Sequence, residues 1–144
     1  MPLDLAHVAL NVFDLERSLA FYALLGLPEA FRLHHDDGSL MLVYLHVGGD
    51  RFIELFPGGP APAHDRPPGH FAHLCLRVDD LGAVVEQLRG QGVAIDIPPT
   101  LGRDRNWQAW IRDPDGNPVE LMQLSEDSPQ RRVARGEPAF PAPG

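Results

Sequence analysis

Sulfur is nearly missing from the chemistry open to this chain. Cys75 is its only cysteine in 144 residues, so no intramolecular disulfide can form and no thiolate-rich metal site can be built. Basic runs are missing too. The formal net charge is −8, from 20 acidic against 12 basic residues, and no basic stripe interrupts it. Nucleic acid and anionic membrane surfaces are therefore not expected partners. No apolar stretch approaches the ~20 residues needed to span a bilayer. The first residues, Met1-Pro-Leu-Asp-Leu5, lack the basic segment and apolar run of a secretory leader. A soluble, cytoplasmic protein is expected. Against these absences stands a hydrophobic content of 44%, enough for one domain or for two small halves sharing a core.

The most informative positive feature is a repeat. His7 precedes Glu54 by 47 positions and His73 precedes Glu120 by the same 47, so the second pair is the first moved along by 66. The same shift places Leu10 on Leu76, Val12 on Val78, Asp14 on Asp80, Gly26 on Gly92 and Leu55 on Leu121.

The order of elements repeats as well. The stretch from Leu5 to Val12 predicts a strand. Asp14 is a helix N-cap, followed by an amphipathic helix to Leu25 that carries Leu15, Leu19 and Tyr22 and closes at Gly26. Strands are expected over 30–35, 40–47 and 51–56, joined by turns at Asp36-Asp-Gly38 and Gly48-Gly-Asp50. A Pro- and Gly-rich loop follows, and the pattern starts again. A strand is expected over 71–78, then a cap at Asp80 and a helix with the stripe Leu81, Val84, Val85, Leu88. Further strands are expected near 93–97, 107–112 and 118–124, with a turn at Asp113-Pro-Asp-Gly-Asn117. The expected division is a first βαβββ module over 1–57, a linker over 58–70, a second module over 71–125, and a mobile or partner-packed tail over 126–144.

Strand alternation puts His7, Ala9 and Asn11 on one face, and His73, Cys75 and Arg77 on one face of the copy. Glu54 lies between Phe52 and Phe56, and Glu120 between Pro118 and Met122, so each carboxylate is expected to face a covered surface. A buried carboxylate needs a partner, and a metal ion supplies one. Two imidazoles and two carboxylates suit one divalent ion of Ni, Zn, Co, Mn or Fe, with positions left open for substrate. The remaining histidines, His34, His35, His46, His64 and His70, have no histidine counterpart under the shift.

At these residues the chain resembles the vicinal oxygen chelate superfamily. The resemblance runs from about Leu5 to Leu124 and is carried by His7-Val-Ala-Leu-Asn-Val, Asp14-Leu-Glu-Arg-Ser-Leu-Ala-Phe-Tyr, Phe52-Ile-Glu-Leu-Phe, His73-Leu-Cys-Leu-Arg-Val and Arg112-Asp-Pro-Asp-Gly-Asn-Pro-Val-Glu-Leu. It implies an α+β fold in which two βαβββ modules form an open barrel-like metal-binding cavity, in a homodimer. The order His7, Glu54, His73, Glu120 is similar to glyoxalase I. That implies a metal-dependent lyase or isomerase acting on a small vicinal-oxygen substrate, such as a 2-oxoaldehyde thiol hemithioacetal, through a metal-bound enediolate. One ligand glutamate would move the proton, and analogy favours Glu120 over Glu54. The alternatives are an Fe(II) extradiol-type dioxygenase, which would need a Tyr or His acid that no motif here assigns to Tyr22 or Tyr44, the only tyrosines, and a non-catalytic drug-binding resistance protein.

The substrate region departs from the glutathione-using pattern. Asn11 stands where those enzymes typically carry an arginine, and Arg77 occupies the equivalent place in the copy. The segment Gly102-Arg-Asp-Arg-Asn-Trp-Gln-Ala-Trp110 is bulkier than expected. Arg103 or Arg105 with Trp107 or Trp110 is read as lining a pocket for a small anionic or aromatic substrate, with the two tryptophans at opposite strand parity.

Overall fold

The computed structural model describes residues 3–62 and 69–144. His64 and most of the expected linker's second half lie outside them. The chain divides into two compact units. One comprises Met1–Pro67 with the turn Asp113–Gly116, the other Pro68–Arg112 with Asn117–Gly144.

The first unit is βαβββ: β1 (His7–Val12), α1 (Leu15–Leu24), β2 (Glu29–His34), β3 (Leu40–Gly48) and β4 (Arg51–Pro57). Its sheet runs β1-β4-β3-β2, with β1 parallel to β4 and the other neighbours antiparallel. Alternation sorts its side chains into two faces. Leu10, Val12, Val43, Leu45, Ile53 and Leu55 are buried on one face, which α1 covers with the fully buried Tyr22. The Asp14 carboxylate caps α1 by accepting from the Arg17 N–H, and Gly26 ends it in the left-handed region at φ 81°.

The turn Asp113–Gly116 adds two buried carboxylates to this unit. Asp115 accepts from the Phe13 N–H at 2.9 Å and from the Ser18 hydroxyl at 3.4 Å, and Asp113 accepts from the Tyr22 hydroxyl at 2.8 Å. The turn thereby satisfies polar groups at the β1–α1 corner and in the helix.

The second unit repeats the plan: β5 (Leu74–Arg77), α2 (Leu81–Gly90), β6 (Ile97–Leu101), β7 (Trp107–Arg112) and β8 (Pro118–Gln123), in the order β5-β8-β7-β6. Asp80 caps α2, and Leu81, Val85 and Leu88 form its buried stripe. Their partners in the core are Ala109, Ile111, Val119 and Leu121.

Three elements differ from expectation. β5 begins at Leu74, so His73 stands immediately before the strand. β6 lies at Ile97–Leu101, four residues later than expected, and contains Pro98 and Pro99. Consecutive prolines argue against a strand, but β6 is the sheet edge, where missing N–H donors cost little, and its register slips between Ile97 and Thr100. Finally, a short helix, α3 (Pro129–Ala134), forms beyond Ser125 and is capped by the buried Ser128.

Candidate metal centre

Each histidine meets the glutamate of its own unit. His7 Nε2 lies 3.3 Å from a Glu54 carboxylate oxygen, and His73 Nε2 lies 3.0 Å from one of Glu120. The same ring nitrogen and the same carboxylate oxygen are used in both copies. Strand register explains the repeat: Glu54 pairs across the ladder with Ala9, and Glu120 with Cys75.

Burial divides the four side chains unequally. The carboxylates are only 7% exposed, whereas the imidazoles are 47% and 36% exposed. The expectation of covered faces thus holds for Glu54 and Glu120, while the histidines are half open. The cause is topological. β4 and β8 are interior strands, whereas β1 and β5 are sheet edges, where a side chain lacks a neighbour on one flank.

A buried carboxylate without a partner would be costly, and each has its imidazole. The donor set of nitrogen and oxygen fits a borderline divalent ion and fits neither a thiolate site nor an all-oxygen calcium site. Among the described residues, no group of three or more His, Cys, Asp or Glu side chains gathers as a metal cluster. The structure therefore brings the four residues together as two pairs.

The residues beside the two carboxylates differ. Tyr44 lies directly across the ladder from Glu54, and Trp110 lies directly across from Glu120. Hydrogen bonding to Glu54 raises the Tyr44 hydroxyl above its ordinary pKa. Its ring stacks on Phe31 with centroids 4.3 Å apart and meets Phe52 edge-on at 5.7 Å. Trp110 instead presents itself edge-on to His73, at 4.7 Å. Cys75 is exposed as a residue, yet desolvation of its thiol, then the Glu120 charge, pushes its pKa up to about 12.

Neither Tyr44 nor Cys75 was singled out beside a carboxylate by sequence. The signal existed: Tyr44 moved by 66 is Trp110, and Ala9 moved by 66 is Cys75.

The expected substrate residues scatter. Asn11 is exposed on β1, on the face of His7, and Arg77 is exposed at the end of β5. Trp110 shares the Glu120 face and forms one wall of an open pocket of about 440 Å³, with the Asp96–Arg112 ion pair at its rim. Trp107 alternates to the opposite face, in step with Ala109, and remains 43% exposed. Arg103 is exposed in the preceding turn. Arg105 adopts φ 67° there and pairs with Asp127 at 3.5 Å. Among the other described histidines, His46 is held by the Gly49 carbonyl at 2.8 Å.

The profile of the glyoxalase/bleomycin resistance protein/dioxygenase superfamily matches residues 4–121. The chain belongs to this superfamily. The matched span contains both His–Glu pairs. Among relatives in the superfamily, the chain is 30% identical over 145 residues to a lactoylglutathione lyase of Pseudomonas aeruginosa, covering 83% of this chain and 81% of that protein. It is 28% identical over 128 residues to a lactoylglutathione lyase of Salmonella typhimurium, covering 85% and 93%. It also superimposes on the crystal structure of TnmS3, an antibiotic binding protein from a Streptomyces species. That match has a TM-score of 0.68 and 28% identity, and covers 86% of this chain and 98% of the other.

Proposed function

We propose that the protein is a metal-dependent lyase of glyoxalase I type. Its substrate would be a small molecule with vicinal oxygens, such as the hemithioacetal of a 2-oxoaldehyde and a thiol. The observation that carries this reading is the pair of matched contacts, His7–Glu54 and His73–Glu120, each with its carboxylate buried. The likeness to two lactoylglutathione lyases supports it. His7, Glu54, His73 and Glu120 would hold one divalent ion (Ni, Zn, Co, Mn or Fe), the two pairs coming from one chain or from two chains of a homodimer.

The bound ion would offset the negative charge that develops on two neighbouring substrate oxygens. The chain supplies the proton transfer. One glutamate takes the proton from the carbon bearing sulfur and returns it to the adjacent carbon, as a positioned general base and then acid. The hemithioacetal becomes a 2-hydroxyacyl thioester, with no atom gained or lost. Asn11 and Arg77 would contact the thiol portion, and Trp110 the group on the other side of the reacting carbons. Trp107 and Arg103 stand further out as candidate contacts.

Elemental analysis of the purified protein is expected to give a stoichiometric divalent ion. The double variant Glu54→Gln with Glu120→Gln is expected to lose it while remaining folded. Retained metal in that variant would refute the site. A protein that never binds metal would leave a ligand-binding role like the one TnmS3 is named for.

A further inference from the structure

Duplication provides an internal control for one opening in the molecule. The pocket of about 440 Å³ in the second unit is walled by Asp96, Ile97, Trp110, Ile111, Arg112 and Pro118. Ladder register sets Ile97 across from Trp110, Trp110 across from Glu120 and Arg112 across from Pro118. Ile97, Trp110, Arg112 and Pro118 therefore share the sheet face of Glu120.

The equivalent residues of the first unit, 66 positions earlier, are Phe31, Tyr44, His46 and Phe52, in the same register beside Glu54. There the space is filled from within. Phe31 stacks on Tyr44 at 4.3 Å, Phe52 meets Tyr44 edge-on at 5.7 Å, and His46 lies 5.0 Å from Phe52. In the second unit Ile97 and Pro118 replace the phenylalanines, and the loss of both rings leaves the pocket open.

Charge is the second difference. His46 becomes Arg112 and Ala30 becomes Asp96. Arg112 Nε donates to Asp96 Oδ2 at 2.8 Å, and the Asp96 N–H donates to the Trp110 carbonyl at 2.8 Å. Among the described residues, Asp96 is the only hydrogen-bond partner of that guanidinium, so most of its donors are uncommitted. The two side chains are 46% and 39% exposed, and an exposed pair contributes little to stability.

Resting on the lyase reading above, we propose that this pocket receives the aldehyde-derived group of the substrate, and that this group is a flat apolar body ending in a carboxylate bound by Arg112. A methyl group would leave most of about 440 Å³ unfilled. The volume lies in the ~300–1,000 Å³ range of pockets that enclose whole small ligands. Trp110, Ile97 and Pro118 supply the apolar walls beside Glu120, and Arg112 stands two residues, ~7 Å, along β7 from Trp110. A guanidinium fork matches a planar carboxylate. Asp96 is then a competitor that holds Arg112 until the substrate carboxylate displaces it.

Hemithioacetals of one neutral thiol, 2-mercaptoethanol, provide the test when made with methylglyoxal, phenylglyoxal and 4-carboxyphenylglyoxal. With the metal-loaded protein, kcat/KM is expected to rise in that order, the carboxylate contributing about 10–100-fold, the scale of a hydrogen bond to a charged group. Arg112→Gln is expected to bring the ratio of carboxylated to plain phenyl adduct down to near one, whereas Asp96→Asn is expected to keep or raise it. Ile97→Phe, which restores the ring of the first unit, is expected to abolish the preference for phenyl over methyl. A wild-type ratio near one would overturn the subsite. So would Arg112→Gln and Asp96→Asn changing the ratio alike, as a merely structural ion pair requires.

A metal-loaded protein that turns over none of the adducts would sink the lyase reading, and binding then decides the pocket by itself. In NMR titrations, 4-acetylbenzoate is expected to bind at least about tenfold more tightly than acetophenone, and Arg112→Gln to erase the difference. Equal affinities in the wild-type protein would overturn the carboxylate site.

Discussion

Tyr22 carries a hydroxyl into the fully buried core of the first unit and meets Asp113 there at 2.8 Å. Desolvation, then the Asp113 charge, raises its pKa far above the ordinary 10.0. The sign of the pH effect follows. Above about pH 10 the unfolded chain releases this proton while the folded chain keeps it, so the folded state binds more protons and loses stability as pH rises. Below that pH the contribution is fully present. Cys75 acts in the same direction from its ordinary 9.0 upward, and the chain contains no lysine to add a competing alkaline titration. Denaturant unfolding between pH 8 and pH 11 is expected to show stability falling with pH, and Tyr22→Phe is expected to flatten the fall above pH 10. At neutral pH the same substitution takes one donor from a buried carboxylate and is expected to cost roughly 1–3 kcal/mol. At this scale the sequence was legible where chemistry was duplicated: four polar residues stood out because their spacing repeated. Tyr44 and Cys75 were illegible for the opposite reason, since their importance lies in differing from their counterparts.

At the scale of elements, one amide joins α3 to the sheet of its own unit. Asn106 is fully buried. Its Oδ1 accepts from the Ser125 N–H at 3.0 Å, and its Nδ2 donates to Asp104 at 3.1 Å and to Gln130. One side chain thus ties the turn before β7 to the end of β8 and to the third helix. Asn106→Ala is expected to cost roughly 1–3 kcal/mol by leaving buried polar groups without partners. Hydrogen exchange is expected to accelerate most in the segment 125–135. A uniform acceleration across both units would contradict this local tie. The helix was not read from sequence because six residues carry almost no periodic signal, and Ser128 with Pro129 at the first turn is the only local mark of it. β6 was misplaced for a related reason: Pro98 and Pro99 speak against a strand, and only its edge position in the sheet makes them tolerable. The helices α1 and α2 were legible because capping Asp, apolar stripe and closing Gly agreed in both copies.

For the whole molecule, duplication explains why two βαβββ units share an order of strands, a pair of capped helices and a His–Glu contact. An ion held by two such pairs gains affinity from both, and the lyase reading carries with it an expected homodimer. Light scattering during size-exclusion chromatography is expected to give twice the 15.9 kDa of one chain. A monomer that retains stoichiometric metal would place all four ligands in a single chain. The unequal flanking of the two pairs has an optical consequence as well. Trp110 stands edge-on to His73, whereas the aromatic ring across from Glu54 is a tyrosine. Indole emission is therefore expected to respond to an ion bound at His73 and Glu120. A Trp107→Phe variant, with Trp110 as its one fluorophore of that kind, becomes a built-in gauge of a quenching ion such as Ni²⁺ arriving there.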